Sequence, residues 1–326
     1  MKIEKMSCKI ACLYVKLVHT GKGVIMRNMV LMNLALLSIA AAQSLAETRL
    51  VPGEYPTIQQ AIQESNDGDV VVVDPGTYFE TVNFLGKNIT VTGTDPDDPD
   101  IVAGTVINGN NQGSTVTFNS GETRQAVLTG LTISGGLGTV NPMFGDRVIW
   151  GAGIYCAGAS PTITKNLISN NNVPITIVGQ SVIENYGGGI ACLDSNALIT
   201  HNIIKDNAVF AGAGIFTYPS GNPTICDNLI YNNSAYVGGG VILLYAGRLI
   251  NNTIVGNDSN NDIQGQTGMA GNVYTASSPE LMCELINNII CNAKSGGGIL
   301  SAGESEDLIK FNNVWHKRYK IARFFL

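Results

Sequence analysis

One asparagine recurs through the second half of this 326-residue chain, each time inside nearly the same phrase. The phrases are ITKNLISNN (163–171), ITHNIIKDN (199–207), ICDNLIYNN (225–233), LINNTIVGN (249–257) and LINNIICNA (285–293). Aligned on Asn166, Asn202, Asn228, Asn252 and Asn288, the copies are spaced by 36, 26, 24 and 36 residues. A second phrase alternates with the first: GAGIYC (151–156), GGGIAC (187–192), GAGIFT (212–217), GGGVIL (238–243) and GGGILS (296–301). A unit of about 25 residues, sometimes lengthened by about 11, cannot bury an apolar face alone and must stack on copies of itself.

Alternation within each unit says how. Ile154 and Cys156 point one way and Tyr155 the other, and Ile190/Cys192, Ile215/Thr217 and Val241/Leu243 repeat the arrangement. Two further inward columns are Ile163, Ile199, Ile225, Leu249, Leu285 and Ile168, Ile204, Ile230, Ile254, Ile290. Three short strands per turn predict an all-β, single-stranded, right-handed parallel β-helix over 47–315. The anchor asparagines are expected at a tight bend, tolerating the left-handed region and bonding to the next copy. Asn171, Asn207, Asn233 and Asn257 form a further row. Upstream, TIQQAIQES (57–65) pairs Thr57 with Gln60 at capping-box spacing. It predicts a short amphipathic helix closing the N-terminal end. Strand-like runs follow at 69–74, 88–93, 105–109, 114–118 and 126–133, with excursions at 94–104, 134–150 and 258–281.

Residues 1–46 have the pattern of a signal peptide: Arg27, the apolar run 29–42, then Ser44-Leu45-Ala46 as a small-x-small cleavage site. Residues 1–25 make a long preface, and initiation at Met26 or Met29 is expected. The apolar core is too short to span a bilayer, so an exported, secreted or cell-surface product is expected rather than an integral membrane protein. Between 47 and 309 there are 24 acidic and 8 basic residues, a net charge of −16, whereas the tail 316–326 is basic. So acidic a body repels nucleic acid. Cys156, Cys192, Cys226, Cys283 and Cys291 have no zinc-site spacing. Cys156 and Cys192 share one repeat position, as stacked thiols or a disulfide.

The stretches YPTIQQAI (55–62), GDVVVVDPGTYFETV (68–82), GKNITVTG (86–93) and TVING (105–109) resemble the opening of pectin-lyase-like right-handed β-helix proteins. GTYFE (76–80) is similar to the GxYxE element of pectin methylesterases. The later PTIT and GGGI repeats resemble parallel β-helix repeat proteins of bacterial surfaces. The resemblance implies the fold. It implies no activity here, because the family's catalytic segments are missing: no QDTL-, DFIFG- or LGRPW-like stretch, no RIK, no His before Gly and no DPHD. A carbohydrate-interacting or adhesive module is the leading expectation, with polysaccharide or another cell-surface glycan as partner. A polysaccharide lyase or pectinesterase-like enzyme is the alternative.

Asp95, Asp97 and Asp98, with Asp100, crowd the segment GTDPDDPDIV. Hard oxygen donors on a short loop are calcium candidates, and no other cofactor is implied. Pro96 and Pro99 favour an extended loop in which the carboxylates need not converge. His201 falls where other copies carry Lys165, Asp227, Asn251 and Asn287, so an ordinary exposed turn residue is expected. Tyr155, Tyr186, Tyr218, Tyr236 and Tyr245 are candidates for stacking on sugar rings or packing on loops, and Arg147 beside Trp150 for lining a groove.

Overall fold

A computed structural model describes residues 46–145, 148–178, 181–259, 268–278, 280–303 and 307–315. Residues 1–45, which hold nearly all of the expected signal segment, lie outside the described residues, as do Arg147, the basic tail 316–326 and most of 258–268.

The described chain coils into three long parallel sheets. The first has ten strands, from Thr48–Val51 through Thr162–Thr164 to Leu308–Lys310. The second has nine, from Gly76–Phe79 through Leu229–Tyr231 to Asn313–Trp315. The third has eight, from Val82–Asn83 through Ile190–Leu193 to Ile299–Gly303. Strands adjacent in a sheet belong to successive coils and pair in register: Ile163 with Ile199, Ile199 with Ile225, Ile225 with Leu249. Register is forced because a one-residue slip would turn every inward aliphatic to the outside. The three inward columns are fully buried and make one continuous core.

Two tight bends and one glycine corner close each coil. The anchor asparagines are not themselves in the left-handed region, contrary to the expectation. The residue before each one is: Lys165, His201, Asp227, Asn251 and Asn287 have φ of 55–58°. That leaves the asparagine side chain turned inward, where it cross-links coils. Asn202 donates its backbone N–H and its Nδ2 to Asn228 Oδ1, both at 3.0 Å, and the same Nδ2 to Ile163 O at 2.9 Å. The column runs from Asn166 to Asn312 with every member's amide used. In a dry interior each such bond spares a buried backbone group that would otherwise stay unpaired.

The second asparagine row has an unexpected ending. After Asn257 the repeat carries Ala293, which has no amide to offer. Asn272 supplies it from the glycine corner: Asn257 N and Nδ2 donate to Asn272 Oδ1 at 3.2 and 3.0 Å. In several other coils that corner position has no room for a side chain. A Cβ on Gly153, Gly189 or Gly214 would lie 2.6, 2.6 or 2.3 Å from a carbonyl oxygen of the following coil.

The N-terminal end is closed as expected by helix α1 (Ile58–Glu64), whose Thr57 cap accepts from Gln60 N and which buries Ile58, Ala61 and Ile62. The excursions are more ordered than expected. Residues 94–104 contain a second helix, α2 (Pro99–Gly104), so the loop is not extended throughout. The added length between Asn166 and Asn202 forms a hairpin, Thr176–Val178 and Ser181–Tyr186, which pairs with Val148–Trp150 in a separate four-stranded sheet.

Candidate functional site

The three sheets present different outer faces, and that of the first is open and carries Thr200, Thr224, Cys226 and the Arg248–Glu284 ion pair. The outer face of the third sheet is covered. Tyr155, Ala191, Phe216 and Ile242 line up across it and are buried under the four-stranded sheet. Trp150 stacks on Tyr186 at 4.8 Å between centroids, Tyr186 packs on Phe216 at 4.7 Å, and Phe144 on Trp150 at 5.0 Å. Tyr218 continues the ring chain to Tyr245, and Phe210 to Tyr236. Four of the five tyrosines singled out in the sequence are thus packing residues of the coils and their hairpin, while Tyr245 touches Tyr218 and stays exposed. Tyr155 is 3 % exposed and accepts from Asn141 Nδ2 at 2.9 Å. Burial, then the Glu184 carboxylate, raises the Tyr186 phenol above its ordinary pKa.

The second sheet is different. Beside its inward Ile168, Ile204 and Ile230, the outward Leu167, Ile203, Lys205 and Tyr231 face a groove of about 390 Å³. The floor is Leu167, Ile203, Lys205 and Tyr231. One wall is Pro96, Asp97, Pro99 and Val102 from the excursion carrying α2, and the bend residues Lys165 and His201 form the other rim. The sequence alone did not bring these together, although the parity of the strand places Tyr231 outward as soon as Ile230 is known to be inward.

Charge in the groove is arranged in pairs. Lys165 Nζ lies 2.6 Å from Asp97 Oδ1 across the opening, both side chains well exposed. Lys205 Nζ is 3.3 Å from Asp206 and 5.8 Å from the centre of the Tyr231 ring. Burial disfavours its charge, but Asp206 and Tyr231 outweigh burial and raise its pKa, so Lys205 stays protonated. His201 hydrogen-bonds through Nδ1 to Thr200 Oγ1 at 2.7 Å and is exposed at the bend, as the repeat predicted, but it also lines the groove.

The three aspartates proposed as calcium ligands go separate ways. Asp95 Oδ1 accepts from Asp97 N, Asp98 caps α2 through Asp100 N and Ile101 N, and Asp97 turns to Lys165. Among the described residues no three His, Cys, Asp or Glu side chains cluster so as to hold a metal ion.

Cys156 and Cys192 are register partners inside the core and are both free thiols. Burial, then the neighbouring thiol, pushes Cys156 well above its usual pKa. No described helix is long and apolar enough to cross a membrane.

A family model described as "right handed beta helix region" matches residues 105–278. Among solved structures, the chain is similar to a rice weevil pectin methyl esterase, with 14% identity, 80% of this chain and 69% of that chain covered, and a TM-score of 0.41. It is also similar to a pectin methylesterase mutant solved with a hexasaccharide, at 12% identity, 83% and 93% coverage and a TM-score of 0.33. No curated protein sequence matches.

Proposed function

The chain belongs to the right-handed β-helix family, and from that premise we propose that it is an exported carbohydrate-binding module whose site is the groove on the second sheet. One observation carries the reading. The groove joins an aromatic face (Tyr231), apolar floor residues (Leu167, Ile203) and hydrogen-bonding groups (Lys165, His201, Lys205, Asp97) in a shallow, open trough. Sugar rings have apolar faces and hydroxyl edges, so they need that combination and no deep pocket. Binding would proceed by stacking on Tyr231 while the rim side chains exchange their mutual pairs for sugar hydroxyls. No reacting group is needed for this, and the groove offers no second carboxylate free of a partner beside His201 or Lys165.

The test is affinity electrophoresis of the folded protein against a panel of soluble polysaccharides, followed by the Tyr231→Ala and Lys205→Ala variants. Retardation by at least one polymer that both variants weaken supports the reading. No retardation by any polymer, or retardation that Tyr231→Ala leaves intact, overturns it. Release of an unsaturated, ultraviolet-absorbing product or of methanol would favour the enzymatic alternative.

A further inference from the structure

The groove opens at one end onto a longer surface. On the outer face of the second sheet Tyr231 pairs in register with Val255, Val255 with Cys291, and Cys291 with Trp315. Beside that row runs another, Leu229, Thr253 and Ile289. Trp315 is 61% exposed and Ile289 40% exposed, an unusual pair to leave open on a regular sheet. Two large aromatics therefore stand on one register row, with only the slender Val255 and Cys291 between them. Three strand spacings separate them, about 14 Å.

We propose that this row is a second binding platform and that the two aromatics together take a neutral, β-1,4-linked glycan ribbon lying along the helix axis. The inference rests on the groove being a sugar site. Three observations select the occupant. First, the strip is narrow: strands of three residues over the six rungs from Leu167 to Trp315 give roughly 300 Å², against about 800 Å² per partner in a stable protein interface. A single polymer chain fits it and a second protein does not. Second, its members pair in register from coil to coil, so the row follows the stacking direction. Two rungs nearly equal the disaccharide repeat of a two-fold ribbon, so such a chain stays on the row, whereas a helically twisted chain turns away from it. Third, Val255, Cys291, Thr253 and Ile289 carry no charge, and the groove's own lysines already face Asp97 and Asp206. Beyond the groove no cation on these rows meets a ligand carboxylate, which favours a neutral chain.

Two platforms on one chain raise affinity through effective concentration, and only for ligands long enough to reach both. Cellobiose is too short to span about 14 Å, and cellohexaose is long enough. Calorimetric titration of the folded protein is expected to give at least tenfold tighter binding of cellohexaose than of cellobiose. Trp315→Ala should remove that gain and leave cellobiose unchanged. Val255→Arg, beside Tyr231 on the row but a full coil removed from Trp315, should also remove the gain of cellohexaose over cellobiose and guards against a Trp315 variant that unfolds. Hydroxyethylcellulose should retard the protein more than polygalacturonate.

The proposal fails if cellohexaose and cellobiose bind alike, if Trp315→Ala and Val255→Arg leave cellohexaose binding intact, or if polygalacturonate is preferred. It also fails if the protein self-associates in sedimentation and Ile289→Arg disperses it, for then the strip is a protein interface. Binding of some other polysaccharide that depends on Tyr231 but not on Trp315 would sink this inference and leave the groove reading standing.

Discussion

Glu80 and Lys87 hold opposite ends of the same short helix. Glu80 Oε1 and Oε2 accept from Ile58 N and Gln59 N, each at 3.0 Å, at the start of α1. Lys87 Nζ donates to Ile62 O, Gln63 O and Ser65 O at 2.8, 2.6 and 2.7 Å at its finish. A carboxylate at the N-terminus and an ammonium at the C-terminus are the charges that the helix dipole favours. Glu80 is the last residue of the GxYxE-like element, so in this chain that element secures the closing helix.

Removing either charge should loosen the cap. Glu80→Gln is expected to cost about 1–2 kcal/mol and Lys87→Met a similar amount, read from urea denaturation. The double variant should lose no more than the sum, because the two act at separate ends.

Position along the asparagine column should matter. Asn228→Ala, in the middle, strands Ile199 O, Cys226 O and the backbone N–H of Asn202, and is expected to cost about 3 kcal/mol or more. Asn312→Ala, in the last described rung, should cost about 1 kcal/mol. Equal losses in denaturation would contradict the cross-linking role.

The exchange between Asn272 and Ala293 invites a compensation experiment. Asn272→Gly should destabilise by about 1–3 kcal/mol, because Asn257 loses its acceptor. Adding Ala293→Asn should recover most of it by restoring the arrangement of the other coils. A double variant no better than the single one would count against this account.

Buried thiols predict the alkaline limb of the stability curve. Burial pushes Cys283 up to about 12 and Cys156 in the same direction. Above the unfolded thiol pKa, near 9, the unfolded chain releases these protons and the folded one keeps them. Stability is then full below about pH 9 and falls toward pH 12, by up to about 1.4 kcal/mol per pH unit for each such thiol. Denaturation midpoints between pH 7 and 11 check the sign. At pH 8, iodoacetamide should label the half-exposed Cys226 and Cys291 before Cys156, Cys192 and Cys283.

Calcium should leave the melting temperature unchanged, since Asp95, Asp97 and Asp98 each have a different partner. A rise of several degrees on adding millimolar calcium would show that the loop rearranges to converge them.

The coil was legible in the sequence because its signals are local. An isoleucine at fixed parity from an asparagine says which way a strand faces, and a glycine triplet marks a corner where a side chain would strike the next coil. Closure by α1 was legible too, from Thr57 and Gln60. The groove was not, because it joins Asp97 to Lys165 across 68 residues and several strands. The hairpin at 176–186 registered only as extra length between two asparagines. The left-handed position was misplaced by one residue, since Lys165 and Phe311 give no compositional hint that they occupy it. Nor does a repeat pattern show that Asn272 stands in for a missing neighbour, because the substitution looks like a lapse until the coils are stacked.

The asparagine columns also impose a direction. Every acceptor oxygen serves the coil made before it, so the newest coil always presents unmet donors to whatever is synthesised next. Growth resembles a crystal adding layers to a single live face, each layer templating its successor. A defect introduced midway therefore reaches back to the layer before it, whose donors lose their acceptor, as those of Asn202 do when Asn228 is removed.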